Sequence, residues 1–356
     1  MDKNLNIPHT PLVTVMMPVF NGEKYIKFAI ESILSQTYKD FELLIVNDAS
    51  TDKTVNIIHT YKDSRVRLIH NSKQLGLSAI RQRGVSEARG SLLAFLDSDD
   101  IALSHRLEKQ INFLGENAEV AAVGSWVEVI DEKGSRIGRI WRHATSAKII
   151  PSILLFRNCF TQSSMMVRKK YLIEFGYRQD YWAAPDYELW LRMISKYKMA
   201  NISEVLTYYR AYKESMSYRQ EKEIKYCTQK IMSDNLKKLG LTPTHEEVAI
   251  HDSLERHREE FSVKEIDKVQ TWLIKLVLVN RRRKLYPEKI FNAVVSDYWF
   301  KVCCVSAVRG LKIYKKYSSS DLTSIWKKNI ILFTLSALQK SRLIDITSDT
   351  WIKKTH

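Results

Sequence analysis

The amino-acid sequence predicts an α/β fold in which a mostly parallel sheet is covered by helices and followed by a basic, helical C-terminal extension. In the first half, short apolar runs alternate with segments whose apolar residues recur at helical spacing, as in strands joined by crossover helices. After about residue 214 almost every segment has helical spacing. The 356 residues are 45% hydrophobic and 27% charged, which is typical of a globular chain of one or two domains.

The elements can be placed along the chain in order. Apolar runs predict strands at 13–19, 41–46, 65–69, 91–96, 120–123 and 163–167. Helical spacing falls between them at 25–34, 55–61 and 77–88, and again at 187–194. The polar segment 131–134, which ends in Gly134 between apolar flanks, predicts a hairpin turn.

Polar side chains follow three predicted strands, where the strands end. They lie in the segments 21–23, 47–52 and 97–100. The carboxyl ends of parallel strands meet at one edge of a sheet, which is where such folds bind ligands. Carboxylates gathered there repel each other, and Mg²⁺ or Mn²⁺ completed by phosphate oxygens relieves that repulsion. Asp97 and Asp99 fall on the same side of a strand end, so one can hold a ribose hydroxyl and the other a metal. The alternative is that these aspartates only cap the next helix.

Four ordered segments resemble the signature of family 2 glycosyltransferases of the bacterial polysaccharide and lipopolysaccharide type: 18–21, 46–52, 76–84 and 94–100. The resemblance implies an A-type glycosyltransferase fold with a Rossmann-like sheet, a nucleotide-sugar donor, a Mn²⁺ or Mg²⁺ cofactor and inversion at the anomeric carbon. It implies a catalytic domain at 11–215, with a donor half at 11–125 and an acceptor half at 126–215. Residues 1–10 are then an N-terminal extension and 216–356 the basic helical region.

The resemblance also implies roles for individual residues. It implies that Pro18, Phe20 and Glu23 line the nucleotide cleft and that Asp48 meets the base. Arg81 matches an arginine near the nucleotide, Asp97 the ribose ligand and Asp99 the metal ligand. Asn47 and Gln82 depart from the family pattern, which commonly has aspartate and asparagine there, but both keep hydrogen-bonding capacity.

A second chemical segment spans 184–192. It resembles the family segment in which a Glu-Asp pair opens a helix and the aspartate is the general base, with Pro185 replacing the glutamate. Asp186 is therefore the expected base, which would take the proton of an acceptor hydroxyl during inversion. A helix-capping role for Asp186, or Glu188 as the base, are the alternatives. Trp182 and Glu188 are candidate acceptor-binding residues, while Trp190 suits core packing equally well.

The net charge of +16 lies mainly in the tail, since residues 261–356 contain 19 Lys and Arg against 7 Asp and Glu. Basic segments beside Trp272, Leu273 and Trp299, and again at 326–338, suit an anionic membrane surface, which would bring the enzyme to a lipid-linked saccharide acceptor. The alternative is that the apolar residues pack against the catalytic domain.

Other classes of protein fit the sequence less well. No nucleic-acid-binding motif accompanies the positive charge, so no nucleic-acid partner is expected. A nucleotidyltransferase would need a glycine-rich basic loop after the first strand, where this chain has the acidic segment 21–23. The remaining alternative is a relative that binds a nucleotide without transferring a sugar, because Pro185 replaces the glutamate of the family segment. The N-terminus has no apolar leader and no run is long enough to cross a bilayer, so we expect a cytoplasmic protein, peripheral on the inner membrane if the tail docks.

Overall fold

A computed structural model describes residues 10–256 and 261–323. The chain divides into two compact units. The first, here the sheet unit, comprises Met1–Thr145 and Phe160–Ile224, and the second, the helical unit, comprises Ser146–Cys159 and Lys225–His356. The segment 146–159, which the sequence predicts within the catalytic domain, therefore groups with the helical unit. Most of the expected extension, residues 1–9, lies outside the described residues.

The bounds of the elements are as follows. The strands are β1 (Val13–Val19), β2 (Phe41–Asn47), β3 (Val66–His70), β4 (Leu92–Phe95), β5 (Ile101–Ala102), β6 (Val120–Ile130), β7 (Arg136–Trp141), β8 (Met166–Arg168) and β9 (Lys198–Arg210). The helices are α1 (Ile26–Leu34), α2 (Thr54–His59), α3 (Leu77–Glu87), α4 (Arg106–Glu116), α5 (Ile150–Leu154), α6 (Lys169–Phe175), α7 (Pro185–Ile194), α8 (Met216–Arg219), α9 (Glu221–Lys238), α10 (His245–Arg256), α11 (Val263–Arg283), α12 (Glu288–Val305) and α13 (Leu311–Ser319).

The strands form one twisted sheet in the order β3-β2-β1-β4-β8-β6-β9-β5, with β7 paired to β6. The prediction of a parallel sheet is confirmed for β3, β2, β1 and β4. Beyond β4 the sheet is mixed: β8 is antiparallel to β4 and β6, whereas β9 is parallel to β6. In addition, β6 returns directly through a hairpin to β7, which is antiparallel to it.

Most predicted elements are found close to their predicted bounds, and the differences lie in the second half of the sheet. The hairpin turn is confirmed, since the Asp131 N–H donates to the Ser135 carbonyl at 2.9 Å and Gly134 has φ +88°. The strand predicted at 163–167 starts instead with a 3-10 turn at Gln162–Ser164. The thirteen residues of β9 carry no sequence prediction at all.

The sheet unit buries its core between β1 and the helices on either side. β1 is buried along its whole length, and α1 packs against the sheet through Ile26, Ala29, Ile30 and Ile33. On the other face α3 approaches so closely that a Cβ on Gly84 would lie 2.6 Å from Met16 Cγ. A side chain at position 84 would therefore force either Met16 or α3 to shift.

The apolar residues of α11 and α12 form the interior of the helical unit. Trp272, Leu273 and Trp299 are at most 2% exposed. The prediction that these side chains face a membrane is wrong, because they are already buried among the helices of their own unit. The part of the tail at 324–356, including Trp326, Lys327 and Lys328, lies outside the described residues. In the described ranges no helix is both long and apolar enough to cross a bilayer.

His251 links three pieces of the helical unit. Its Nε2 lies 2.9 Å from the Leu155 carbonyl, and its Nδ1 accepts from Trp272 Nε1 at 3.1 Å. The ring stacks on Phe156 at 4.9 Å. Both ring nitrogens are therefore satisfied by the neutral tautomer that carries its proton on Nε2. Burial lowers the pKa of His251 to about 4, against the weaker opposing effects of the Leu155 carbonyl and the Asp252 charge.

This lowered pKa predicts an acid sensitivity of the helical unit. The ordinary pKa of histidine is 6.5, so between pH 6.5 and about 4 the imidazole is protonated in the unfolded chain but neutral in the folded one. The stability of the folded unit is therefore greatest above pH 6.5 and falls as the pH is lowered toward about 4. We expect a loss of about 3 kcal/mol in the free energy of unfolding of this unit. In denaturant titrations across this pH range, His251→Gln should show a weaker pH dependence than the wild type. Equal pH dependence in the two proteins would contradict this role for His251.

Candidate active site

The loops that follow β1 and β2 are locked together by reciprocal hydrogen bonds. The Asn21 N–H donates to Ser50 Oγ at 2.9 Å, and the Thr51 N–H donates to Asn21 Oδ1 at 2.8 Å. Glu23 Oε2 accepts from the Lys53 N–H at 2.9 Å. Asn21 adopts φ +50°, the left-handed conformation that asparagine tolerates better than most other non-glycine residues. The two loops thus form one wall, and the Glu23 carboxylate is part of its structure.

Pro18 and Phe20, both predicted to line the cleft, have different environments. Pro18 is buried in β1, where it pairs with Val46. Phe20 follows the last residue of that strand and is 43% exposed. An exposed aromatic ring at the carboxyl end of a central strand offers an apolar face for stacking.

Asp48 is buried beneath the loop at 71–76. Its Oδ1 accepts from Asn71 Nδ2 at 2.6 Å and from the Leu75 N–H at 2.9 Å, while Oδ2 accepts from the Gly76 N–H at 2.9 Å. A carboxylate has about four lone-pair sites, so three are already used for the loop. Asp48 therefore shapes the entrance to α3 and has one lone-pair site that these hydrogen bonds do not use. The next residue, Ala49, adopts φ +62°.

The acidic cluster after β4 brings two carboxylates together at the sheet edge. Asp97 and Asp99 are both partly exposed, and the Tyr212 hydroxyl donates to Asp99 Oδ2 at 2.9 Å. Burial and then the charge of Asp97 raise the pKa of Asp99, and the Tyr212 hydrogen bond opposes both, so that the pKa is about 6. The effect of Asp97 on Asp99 indicates that the two carboxylates are neighbours at this edge.

Asp100 has a different role from its neighbours. It is 1% exposed and its Oδ1 accepts from the Arg210 N–H at 2.8 Å. Burial, and then repulsion by Asp99 and Asp97, raise the pKa of Asp100 well above its ordinary value. Burial also lowers the pKa of the enclosed Arg106 to about 9, an effect that Asp100 and Asp97 oppose. Asp100 is therefore an interior carboxyl group held by the Arg210 backbone, and the guanidinium of Arg106 donates instead to the Phe95 carbonyl at 2.7 Å and to Gln110 Oε1 at 3.1 Å.

Arg81 projects from α3 to the acidic cluster and is 4% exposed. Its Nη2 lies 3.4 Å from Asp97 Oδ1. Burial lowers the pKa of Arg81, but the charges of Asp97, Tyr177 and Asp186 outweigh burial and raise it. The buried Nε has no hydrogen-bond partner in the described part of the chain. Arg81 thus lies in the field of two carboxyl groups and keeps an unused donor.

Asp186 lies in the first turn of α7, directly after Pro185. The pKa of Asp186 is raised above its ordinary value, mainly by burial and to a smaller extent by the charge of Asp97. The charge of Arg81 and the backbone N–H groups of Asp186 and Tyr187 oppose this rise. A carboxylate with a raised pKa is a stronger base than one in water. The chain therefore brings Asp97, Arg81 and Asp186 into one electrostatic group, although they come from three separate elements.

The profile of glycosyl transferase family 2 matches residues 14–176, the part that contains the loops after β1, β2 and β4. An uncharacterized glycosyltransferase of Methanocaldococcus jannaschii is 40% identical over 205 residues, which cover 56% of this chain and 71% of that protein. The chain belongs to glycosyl transferase family 2. WbnJ, an O-antigen biosynthesis glycosyltransferase of Escherichia coli, is 32% identical over 243 residues. The match covers 65% of this chain and 91% of WbnJ.

Solved structures extend the likeness to the fold. The crystal structure of S. aureus TarS residues 1–349 in complex with UDP superimposes with a TM-score of 0.51 at 15% identity, covering 86% of this chain and 91% of that one. The predicted A-type glycosyltransferase fold is therefore confirmed, and the expectation of a glycosyltransferase is confirmed by the family.

The candidate acceptor residues of this glycosyltransferase differ in their availability. Trp182 is 44% exposed just before α7. Glu188 is 6% exposed, and its two oxygens accept from Arg192 at 2.7 and 2.8 Å, with Arg178 at 3.3 Å. Its carboxylate is thus already held by two guanidinium groups. Trp190 is fully buried, with its ring 6.5 Å from that of Phe95, and belongs to the core.

Arg210 and Tyr212, at the end of β9, belong to the site but carry no sequence prediction. Arg210 Nε donates to the Asp99 carbonyl at 2.9 Å, and its guanidinium lies 4.5 Å from the Tyr25 ring centre. Tyr177, beside Arg81, was also missed; its hydroxyl accepts from Gln162 Nε2 at 3.2 Å. The β-branched and aromatic run at 205–209 is the signal that could have revealed β9 and the polar residues at its end.

The residues at the acidic edge fit a divalent cation. In the parts of the chain that the structure describes, no three His, Cys, Asp or Glu side chains are grouped as a complete metal cage. Mg²⁺ needs no such cage when substrate phosphates and water supply its other ligands. The repulsion between Asp97 and Asp99 is the observation that a cation would relieve. Asp99, with Asp97 beside it, would hold the metal and bring positive charge to a diphosphate.

The hydrogen bonds of Asp48 lead to a prediction about the loop at 71–76. In Asp48→Asn, an amide NH₂ replaces one acceptor oxygen and leaves a backbone N–H of the loop without a partner. We expect the free energy of unfolding to fall by about 1–3 kcal/mol and the amide hydrogens of Leu75 and Gly76 to exchange faster. Hydrogen exchange and thermal unfolding measure these effects. The control Glu116→Gln removes one exposed carboxylate and should change neither; protection of both amides in Asp48→Asn would contradict the prediction.

Proposed function

We propose that this enzyme is an inverting, metal-dependent glycosyltransferase that moves a sugar from a UDP-sugar to a hydroxyl of a saccharide or lipid-linked saccharide in cell-surface polysaccharide synthesis. The observation that carries the proposal is the buried guanidinium of Arg81 in the field of both Asp97 and Asp186. Arg81 is thus a neighbour both of Asp97, the carboxylate proposed to bind the donor, and of Asp186, the proposed base.

The donor half of the proposal assigns one group to each part of the nucleotide. Phe20 stacks on the base, the remaining lone pair of Asp48 accepts from the base, and Asp97 accepts from a ribose hydroxyl. Asp99 is the Mn²⁺ or Mg²⁺ ligand. The bound metal would neutralise the negative charge that grows on the leaving diphosphate. TarS crystallised with UDP and with UDP-GlcNAc, and the named relative WfgD uses UDP-Glc, which supports UDP as the nucleotide.

Asp186 is proposed as the general base. It takes the proton of the acceptor hydroxyl while that oxygen forms its bond to the anomeric carbon and the bond to the diphosphate breaks on the opposite face of the sugar. Burial suits this role because it raises the proton affinity of the carboxylate, while Arg81 keeps enough of it ionised to act. Glu188 is a poorer candidate, since Arg192 and Arg178 already hold its oxygens.

The acceptor is proposed to be lipid-linked. WfgD of Escherichia coli, 31% identical over 221 residues that cover 60% of this chain and 83% of WfgD, is named as a β-1,3-glucosyltransferase acting on α-D-GlcNAc-diphosphoundecaprenol. The exposed ring of Trp182, four residues before Asp186, is placed to stack on a sugar of such an acceptor. A lipid-linked acceptor would locate the enzyme in the cytoplasm, peripheral on the inner membrane.

The base assignment predicts a separation of binding from chemistry. Asp186→Asn should keep its affinity for the donor but lose transfer by about two to four orders of magnitude. Nucleotide release with each of a panel of UDP-, GDP- and dTDP-sugars, together with donor titrations, measures both quantities. Glu188→Gln is the comparison: it should lower stability through its ion pairs with little loss of turnover per folded molecule. Near wild-type turnover in Asp186→Asn would exclude it as the base.

The metal assignment predicts a loss of coupling between metal and nucleotide. Asp99→Ala should remove the increase in UDP affinity that Mn²⁺ gives the wild type, because the carboxylate that joins the protein to the metal is gone. Isothermal titration of UDP with and without Mn²⁺ measures this coupling. The metal-free UDP affinity is the internal control and should stay within a few-fold of the wild type. Full Mn²⁺ enhancement in Asp99→Ala would refute the assignment.

A further inference from the structure

The turn between α11 and α12 presents basic and apolar side chains together at the surface of the helical unit. We call residues 278–289 the basic tip. Leu278 and Leu285 are 45% and 53% exposed. Every residue from Arg281 to Lys284 is also exposed, as is Lys289. Leu278 lies three and four residues before Arg281 and Arg282, and therefore on the same face of α11.

The basic tip has a defined conformation. The buried Asn280 side chain donates to the Tyr286 carbonyl at 3.1 Å and accepts from the Tyr286 N–H at 2.9 Å. The Tyr286 ring stacks on Phe291, with centroids 5.2 Å apart and planes 9° apart. Lys284 ends α11 in the left-handed conformation, at φ +54°. The Asn280 hydrogen bonds and the Tyr286 stacking thus fix the turn, while its cations and leucines remain exposed.

The charge of the basic tip is almost unopposed. It contains three Arg and two Lys against one acidic residue, Glu288. Glu288 pairs with Arg281 at 2.8 Å. For Arg282, Lys284 and Lys289, no carboxylate of the described residues lies within ion-pair distance. A compact surface with several unpaired cations attracts an anionic partner.

The end of α9 enlarges this basic surface. Gly240, at φ +95°, lies directly under the side chain of Arg283, since a Cβ there would be 2.7 Å from Arg283 Nε. Lys237 and Lys238, which close α9 just before Gly240, are both exposed. Two chain segments therefore contribute cations to one region of the helical unit.

We propose that the basic tip docks on the surface of an anionic phospholipid bilayer, with its cations on the headgroup phosphates and Leu278 and Leu285 among the acyl-chain boundaries. Each Lys or Arg beside such a surface and each exposed leucine that leaves water strengthens the contact. The exposed leucines favour a bilayer over single-stranded nucleic acid, which such surfaces bind by stacking bases on exposed aromatic rings, because the Tyr286 ring is already stacked on Phe291. The proposal rests on the proposed function only in that a lipid-linked acceptor gives docking a purpose.

Co-sedimentation of the full chain with vesicles tests the proposal. We expect binding to an equal mixture of phosphatidylcholine and phosphatidylglycerol and little binding to phosphatidylcholine alone. Arg282→Gln/Lys284→Gln should lower the partition coefficient about 25-fold, at roughly fivefold for each cation. Leu285→Ser should lower it about tenfold. The control Lys62→Gln/Lys170→Gln makes the same change in net charge on exposed residues of the sheet unit and should bind like the wild type.

Three outcomes would overturn the proposal. These are no binding of the intact chain to anionic vesicles, unchanged binding of Arg282→Gln/Lys284→Gln, or an equal loss in the control pair. Unchanged binding of Leu285→Ser, with competition by single-stranded RNA, would assign the tip to nucleic acid instead. Because no donor is present, these results do not depend on catalysis. Transfer to a water-soluble acceptor by the double variant should equal that of the wild type, which separates failure of docking from failure of the proposed function.

Discussion

The buried charge of Arg81 is the interaction on which the arrangement of the active site depends. Carboxylates that meet at one sheet edge repel each other, and burial strengthens that repulsion. Arg81 offsets it from within, opposite both Asp97 and Asp186. The guanidinium needs α3 to lie close to β1, which Gly84 allows, and needs the loop before α3 in place, which Asp48 holds. Backbone packing at Gly84 and at the loop held by Asp48 thus helps to determine where the carboxyl groups of the candidate site lie.

The position of the polar edge after β1, β2 and β4 could be predicted from sequence because its signals are local. A buried parallel strand is a short apolar run, and the residues after it must reach the carboxyl edge of the sheet. This reasoning located Asp48, Asp97 and Asp99 from their positions alone, and the family resemblance added Arg81 and Asp186. The sequence could not show how much of the hydrogen-bonding capacity of each side chain is taken up within the protein. Asp48 is an example, since it accepts three hydrogen bonds from the loop at 71–76.

The remaining features depend on partners that are distant in the chain. Tyr212 meets Asp99 across 113 residues, and β9 reaches its place only by pairing with β6 and β5. The membrane hypothesis failed for Trp272 and Trp299 for a related reason. An amphipathic helix has the same periodicity whether its apolar side meets lipid or other helices, and only the fold distinguishes the two. The exposed leucines of the basic tip are too few to produce a periodic signal.

The segment Ser146–Cys159 has a consequence for how this protein can be divided. It is flanked on both sides by the sheet unit, yet Phe156 stacks on His251 and on Tyr298 of the helical unit. The helical unit is therefore formed by two separate segments of the chain, and no single truncation point removes both of them without also removing part of the sheet unit. A chain that ends after residue 224 would keep the segment 146–159 but lose His251 and Tyr298, on which Phe156 stacks. A chimera that replaces the helical unit with that of a relative would therefore have to exchange both of its pieces at once.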